Sequence, residues 1–251
     1  MARAMKLCLV LLGLGGLLGS CTEKKKDTPQ PETPAPAAVL VFYKTAGYYH
    51  LSIPSGLRAI QQLGKDNGFR VDTTNKASRF LPDTLRKYKA VIFLSTTDDV
   101  LSPAQQTAFE QYIRSGRGFV GVHAATDTEY NWPWYNGLVG AYFNGHPAIQ
   151  PATVNVLDNT HPATRELPAR WVRTDEWYNF RSLAPDLKVL ATLDETTYSG
   201  GTHGVTHPIA WYHSYDGGRA FYTAGGHTDE SYQEPLFLKH LLGGITYAMG
   251  E

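Results

Sequence analysis

Residues 38 to 73 read AVLVFYKTAGYYHLSIPSGLRAIQQLGKDNGFRVDT, and this stretch decides the fold class. Ala38 to Tyr43 is a continuous apolar run, which is typical of a strand covered on both faces. Ile53 to Asn67 has apolar residues at helical spacing, and Ser52 before it is a candidate helix N-cap. Phe69 to Thr73 predicts a second strand. A strand, a helix and a strand in this order form a βαβ unit, so the two strands should be parallel.

The same alternation continues toward the middle of the chain. Ala90 to Ser95 predicts a third buried strand, Ser102-Pro103 opens a helix, and Gly118 to His123 predicts a fourth strand. We therefore expect an α/β fold with a doubly wound, mostly parallel sheet of the flavodoxin-like kind. Ligands of such sheets bind beyond the carboxyl ends of the strands.

The second half changes character, because several strand-like runs follow one another with few helices between them. These runs are Thr153 to Leu157, Lys188 to Asp194, Pro208 to His213 and Arg219 to Thr223. Glu234 to Met249 predicts a closing helix. An antiparallel β extension on the same core explains this order better than a separate domain.

Residues 1–20 have the anatomy of a secretory signal peptide. Arg3 and Lys6 precede the apolar stretch from Leu7 to Leu18, which is shorter than the roughly 20 residues that a membrane-spanning helix needs. The tetrapeptide that ends at Cys21, LGSC, resembles a bacterial lipobox. This resemblance implies cleavage before Cys21, lipid attachment to Cys21, and a cell-envelope lipoprotein that is periplasmic or surface-facing.

Residues 21–37 are charged and rich in proline, which predicts an extended linker ahead of one domain over residues 38–251. That domain has 18 Lys and Arg against 20 Asp and Glu, so it has no nucleic-acid-binding signature. Cys8 lies in the leader, and the domain itself has no cysteine. A disulfide, a thiolate metal site and a cysteine nucleophile are therefore excluded. Low charge with many Tyr, Trp and His fits a neutral polar ligand such as a carbohydrate.

Two histidines follow predicted strands at the expected ligand crevice. His50 ends the loop after the first strand, and His123 stands at the apex of a turn of small residues after the fourth. This turn has the pattern of a nucleophile elbow with imidazole at its apex. Asp127 is close enough in sequence to orient His123 or to bind a ligand hydroxyl. The alternative for both histidines is an ordinary structural hydrogen bond.

A set of short motifs resembles the ThuA-like, or trehalose-utilisation, family. The motifs are GYYHLSI (47–53), GVHAATD (121–127), GHP (145–147), TDEWYN (174–179), HPIAW (207–211), GGRAFY (217–222) and GGH (225–227). The resemblance implies a fold similar to class I glutamine amidotransferases, a role in carbohydrate utilisation, and sugar oxidoreductases of the same pathway as partners. Because His123 stands where those amidotransferases have cysteine, cysteine-dependent glutamine hydrolysis is not expected.

Matching the motifs residue by residue gives a candidate site. We expect His123 to act as a base, Asp127 to orient it, and Glu176 or His50 to be its catalytic partner. Other residues in or beside these motifs are expected to bind substrate: Tyr49, His146, Asp175, Asn179 and His227, with His207 in reserve. The candidate ligands of a divalent metal are His50, His123, His146 and His227. Three imidazoles with one carboxylate would suit zinc, but no closely spaced histidine pair supports a metal, so its presence stays open.

Aromatic residues surround two of these predictions. Burial near Trp177 and Tyr178 should raise the pKa of Glu176 and make it a general acid, unless Glu176 pairs with Arg173 or Arg181. Trp132 and Trp134 are candidates for a sugar-stacking lid. The leading hypothesis is thus an exported enzyme that acts on a disaccharide or modified sugar. The alternative is a non-catalytic carbohydrate-binding or accessory module.

Overall fold

The apolar runs of the first half form parallel strands. The computed structural model describes residues 1–2 and 36–251. Its elements are, in order, β1 (Ala38–Phe42), α1 (Ile53–Asp66), β2 (Arg70–Thr74), α2 (Pro82–Leu85), β3 (Ala90–Leu94), α3 (Pro103–Arg114), β4 (Gly118–Val122), α4 (Pro133–Val139), β5 (Tyr142–Phe143), β6 (Gln150–Val156), β7 (Arg170–Asp175), β8 (Phe180–Arg181), β9 (Lys188–Asp194), β10 (His207–Tyr215), β11 (Gly218–Thr223) and α5 (Pro235–Met249).

Within residues 36–251 the main sheet has nine strands in the order β2-β1-β3-β4-β11-β10-β9-β6-β7. Neighbours from β2 to β11 are paired in parallel, and neighbours from β11 to β7 are antiparallel. The predicted fold class, a mostly parallel sheet with an antiparallel extension, is confirmed. A separate pair of short strands, β5 and β8, lies outside the main sheet.

Helices cover both faces of the parallel part. Gly118 of β4 lies against α5, where a Cβ atom would come within 2.0 Å of the carbonyl oxygen of Ala248. The next residue, Phe119, contacts Phe109 of α3 and Tyr135 of α4. Because successive side chains of a strand point to opposite faces, α5 lies on one face of the sheet and α3 and α4 on the other.

The sequence did not predict β7. Ser52 holds the predicted N-cap position of α1 but makes no capping hydrogen bond with its side chain. Strand β7 has buried and exposed side chains in strict alternation, but its buried positions include Arg173 and Asp175. The alternation of buried and exposed residues in β7 therefore has no matching alternation of apolar and polar residues in the sequence. The Ser52 hydroxyl does not cap α1. It donates instead to the carbonyl oxygen of Gly226, 2.9 Å away.

Residues 3–35, which include nearly all of the leader (1–20), Cys21 and most of the linker (21–37), lie outside the described residues, so these assignments stay predictions. Pro36–Glu251 forms one compact unit. Among the helices described, none is both long enough and apolar enough to cross a membrane.

Candidate functional site

Three histidines meet at the carboxyl edge of the parallel sheet. His50 follows β1, His123 follows β4, and His227 follows β11. Because these strands run in the same direction, the loops after them lie along one edge. The ring centroid of His50 is 4.7 Å from that of His123 and 5.2 Å from that of His227.

Glu176 reaches the same edge from the far end of the sheet. Alternating antiparallel pairs from β11 to β7 make β7 run in the direction of the parallel strands, so its carboxyl end lies at the same edge. The Asp175 carboxylate then ties β7 to the segment after β11, because it accepts the backbone N–H groups of Gly226 and His227. This link brings Glu176 beside the histidines.

His123 occupies a strained turn that orients its ring. Its φ of 51° lies in the left-handed region, as at the apex of a nucleophile elbow. Its Nδ1 lies 2.8 Å from the carbonyl oxygen of Ala224. A carbonyl can only accept, so Nδ1 carries the proton and the Nε2 lone pair faces the other histidines. Ligand histidines in metal sites are commonly oriented in this way.

His50, His123, His227 and Glu176 form a compact cluster of donor atoms. One potential ligand atom from each lies within 4.8 Å of all the others. Glu176 Oε2 is 2.9 Å from His227 Nδ1 and 3.5 Å from His123 Nε2. In the described part of the chain, the buried Nδ1 of His50 has no hydrogen-bond partner. A buried nitrogen without a partner is costly, and a bound ion or water would offset that cost. The four residues therefore fit a divalent transition metal.

The cluster also changes the protonation of its members. Burial, together with the neighbouring imidazoles of His123 and His227, lowers the pKa of His50 to about 2, so this ring stays neutral. Burial alone would raise the pKa of Glu176, but the neighbouring imidazoles of His123 and His227 hold that pKa well below its usual range. The Glu176 carboxylate in turn raises the pKa of His227 against the effect of burial.

The expectation of a raised pKa at Glu176 was therefore wrong. The aromatic residues do bury Glu176, but the imidazoles keep it ionised. The arginine pairings considered as the alternative are also absent among the described residues. Arg173 pairs with Asp175 and Glu234, and Arg181 lies over the ring of Tyr130. An ionised Glu176 is suited to hold a cation and is not suited to donate a proton.

A cavity of about 320 Å³ opens onto this cluster, lined by Tyr48, His50, Asp127, Phe143, His146, Glu176, Tyr178 and His227. His146 is placed on the open side, with its side chain 40% exposed and Nδ1 3.1 Å from Glu176 Oε1. It lies outside the four-residue cluster proposed for the metal. A larger groove of about 490 Å³ lies between α1 and the start of α5, away from these groups.

Asp127 lines the cavity but does not orient His123. Its Oδ1 accepts the hydroxyl of Tyr130, while His123 is held by Ala224. No residue in the described ranges donates a hydrogen bond to Asp127 Oδ2. Burial raises the pKa of Asp127 despite the bond from Tyr130. Its place in the cavity lining leaves the other predicted role, binding of a ligand hydroxyl, as a prediction.

Asp175 and Asn179 support the wall of the cavity without facing its interior. Asp175 is fully buried and its carboxylate is occupied by neighbouring donors. The Asn179 side chain donates to the carbonyl oxygen of Gly200 and accepts from the N–H of Thr202. Neither residue lines the cavity. Both position the segment around Glu176 and do not take the substrate-contacting place expected of them.

The expected lid does not form over the cavity. Trp132 is buried, stacks on Trp134 and donates from Nε1 to Glu110 of α3. Trp134 lies in the first turn of α4 and donates to Asp216 in the β10–β11 turn. The two indoles lie near α3 and the β10–β11 turn because their rings stack on each other there and each N–H donates to a carboxylate. Tyr49 is half-exposed and is also not among the lining residues.

Three aromatic residues line the cavity although the sequence did not assign them to substrate binding. Tyr48 precedes the predicted Tyr49, Tyr178 lies inside the TDEWYN motif, and Phe143 stands on β5. Motif membership could have indicated the two tyrosines, but nothing local marks Phe143. His207 is buried, with Nδ1 2.7 Å from Glu195 and Nε2 donating to the carbonyl oxygen of Tyr178. It supports the wall and does not contact the cavity.

Comparisons with known proteins agree with this architecture. The family model ThuA, described as trehalose utilisation, matches residues 38–248. A ThuA-like protein from Bacteroides uniformis is 28% identical, with a TM-score of 0.73 over 88% of this chain and 95% of that chain. A ThuA-like protein from Parabacteroides merdae is 19% identical, with a TM-score of 0.71 over 86% of this chain and 91% of that chain.

A more distant similarity concerns the fold alone. A β-galactosidase from Bacillus circulans sp. alkalophilus is 15% identical, with a TM-score of 0.55 over 85% of this chain but only 31% of its own. No curated protein matches the chain significantly.

Proposed function

Because the chain belongs to the ThuA, or trehalose utilisation, family, we propose that it is an exported enzyme acting on a disaccharide or modified sugar with the help of a divalent metal. The observation that carries the proposal is the cluster of His50, His123, His227 and Glu176. All of these residues except the fully buried His123 line the cavity. Family membership supports the sugar, and the cluster supports the metal.

The donor set favours zinc or a similar transition ion. Neutral imidazoles with one carboxylate suit zinc better than magnesium or calcium, which prefer oxygen ligands. An ion held there would supply Lewis-acid polarisation of a sugar oxygen. The protein would contribute the other reacting and binding groups. Asp127 would exchange a proton with a ligand hydroxyl. His146 lies on the open side of Glu176, within reach of a bound molecule.

The cellular setting is part of the same proposal. The leader and the lipobox support a cell-envelope lipoprotein anchored through Cys21, periplasmic or surface-facing. Sugar oxidoreductases of the same pathway are the proposed functional partners. A near-neutral domain without a basic patch is consistent with a neutral carbohydrate ligand.

Replacing His123 tests the proposal directly. We expect the purified protein to bind about one equivalent of zinc, and His123→Ala to weaken binding more than the roughly 10–100-fold typical of a lost supporting group. Calorimetric titration of the metal-free proteins measures this. Turnover of trehalose and of chemically modified disaccharides should fall in parallel. His203→Ala, which removes an imidazole outside the cluster, is the control.

Two results would count against the proposal. If the wild-type protein does not bind zinc, the proposed metal site is wrong. A His123→Ala variant that binds sugar normally, alongside a wild type without turnover, would favour the non-catalytic carbohydrate-binding module.

A further inference from the structure

An exposed aromatic ring stands at the mouth of the cavity. The side chain of Tyr48 lines the cavity although the residue is 63% exposed. Its ring packs edge-on against His50, with a centroid distance of 4.8 Å. Tyr48 thus connects the metal-binding floor with the surface, and a large part of its ring is open to solvent.

The backbone that carries Tyr48 is firmly held. The Thr97 hydroxyl donates to the carbonyl oxygen of Tyr48 and accepts the N–H of Gly47, at 3.0 and 3.2 Å. The N–H of Ala46 donates to the carbonyl oxygen of Thr97 at 2.9 Å. Gly47 lies close to Asp98, because a Cβ atom at position 47 would come within 2.3 Å of a carboxylate oxygen of Asp98. A ring on such a pinned loop is already positioned, so a ligand that stacks on it loses little affinity to ordering the loop.

The cavity is small for a ligand of two sugar rings. Its volume of about 320 Å³ is close to the lower end of the roughly 300–1,000 Å³ of small-molecule sites. Phe143 and Tyr178 provide aromatic wall, and Asp127 and His146 provide polar groups. Aromatic faces pack against the C–H face of a pyranose, while its hydroxyls need polar partners. One sugar ring suits the interior, and Tyr48 offers a further aromatic surface outside it.

On the basis of the proposed function, we propose that the substrate is a two-ring glycoside whose inner ring lies in the cavity and whose outer ring stacks on Tyr48. Tyr48 is then the residue that distinguishes a disaccharide from a monosaccharide. Tyr49, its neighbour, makes no such contribution, because it is exposed but does not line the cavity.

Sugar binding to the zinc-saturated protein tests this assignment, with trehalose and glucose as the probes in calorimetric titrations. We expect Tyr48→Ala to weaken trehalose binding about tenfold, the size of one aromatic contact, and to leave glucose binding unchanged. Tyr48→Trp should restore the preference for trehalose. Tyr49→Ala is the matched control, since it removes the same side chain one position away, and it should bind both sugars like the wild type.

The alternative outcomes separate this inference from the proposed function. If Tyr48→Ala weakens the binding of trehalose and glucose equally, or weakens the binding of neither, the outer stacking position is refuted while the metal site stands. The same holds if Tyr49→Ala and Tyr48→Ala have the same effect on binding. If the wild type binds zinc but neither sugar, the carbohydrate assignment and the inference fail together.

Discussion

Asp175 illustrates how a residue can serve the site without contacting a ligand. Its Oδ1 accepts the backbone N–H groups of Glu176 and His227, and its Oδ2 accepts from Gly226 and Ser231. Arg173 Nη2 lies 3.1 Å from the same Oδ2. One buried carboxylate therefore fixes the two segments that carry Glu176 and His227.

Asp175→Asn should destabilise the protein strongly. The amide replaces one acceptor oxygen by a donor, which then faces N–H groups, and it leaves the buried Arg173 without its full counter-charge. We expect a loss of roughly 3–5 kcal/mol in the free energy of unfolding, as for other broken buried ion pairs. Urea unfolding followed by circular dichroism measures it.

The matched control is Asp83→Asn, which breaks the exposed pair with Arg86 and should change the free energy of unfolding by less than about 0.5 kcal/mol. Equal stability losses in the two variants would contradict the positioning role of Asp175.

At the level of elements, helix α5 carries a histidine into the core. His240 is buried beside Phe221 and Phe237, and its Nδ1 donates to the carbonyl oxygen of Ala163. Burial is the main cause that lowers the pKa of His240 from 6.5 to about 4. The folded protein therefore favours the neutral ring, and the unfolded chain takes up the proton first on acidification.

This difference predicts a pH-dependent stability. The contribution of His240 is fully present above pH 6.5 and is lost as the pH falls through about 4. A pKa shift of this size corresponds to a loss of roughly 3 kcal/mol in the free energy of unfolding. His240→Asn keeps a donor but cannot titrate, so its free energy of unfolding should fall less steeply between pH 6.5 and 4 than that of the wild type. Urea unfolding across this range is the measurement, and identical slopes would refute the assignment.

At the level of the whole molecule, the cluster joins distant parts of the sheet. His50 and His123 come from the first half of the chain, and Glu176 and His227 come from the second. An ion bound by all four would link the parallel strands to the segment after β7. Because such an ion binds only the folded arrangement, its binding free energy adds to the stability of the fold.

Zinc should therefore raise the melting temperature. At a free concentration about 100 times the Kd, the expected stabilisation is about 2.7 kcal/mol. Differential scanning calorimetry with zinc and with a chelator measures it. His227→Ala should lose most of the shift, and His203→Ala should keep it. A full shift in His227→Ala would mean that zinc binds elsewhere.

The sequence by itself determined the βαβ order of the first half, the antiparallel strands of the second half and the strand ends that carry His50 and His123. Apolar periodicity and turn residues are local properties, so they can be read along the chain. Strand β7 was not predicted, because Arg173 and Asp175 occupy buried positions that a local pattern assigns to apolar side chains.

Only the tertiary structure decided the chemistry of the site. The ionisation of Glu176 depends on imidazoles from other strands, and the indoles of Trp132 and Trp134 are turned away by partners on α3 and in the β10–β11 turn. Tyr48, and not these tryptophans, stands at the cavity mouth. The physical reason is that pKa values and side-chain packing depend on groups that are close in space, and sequence spacing contains little information about them.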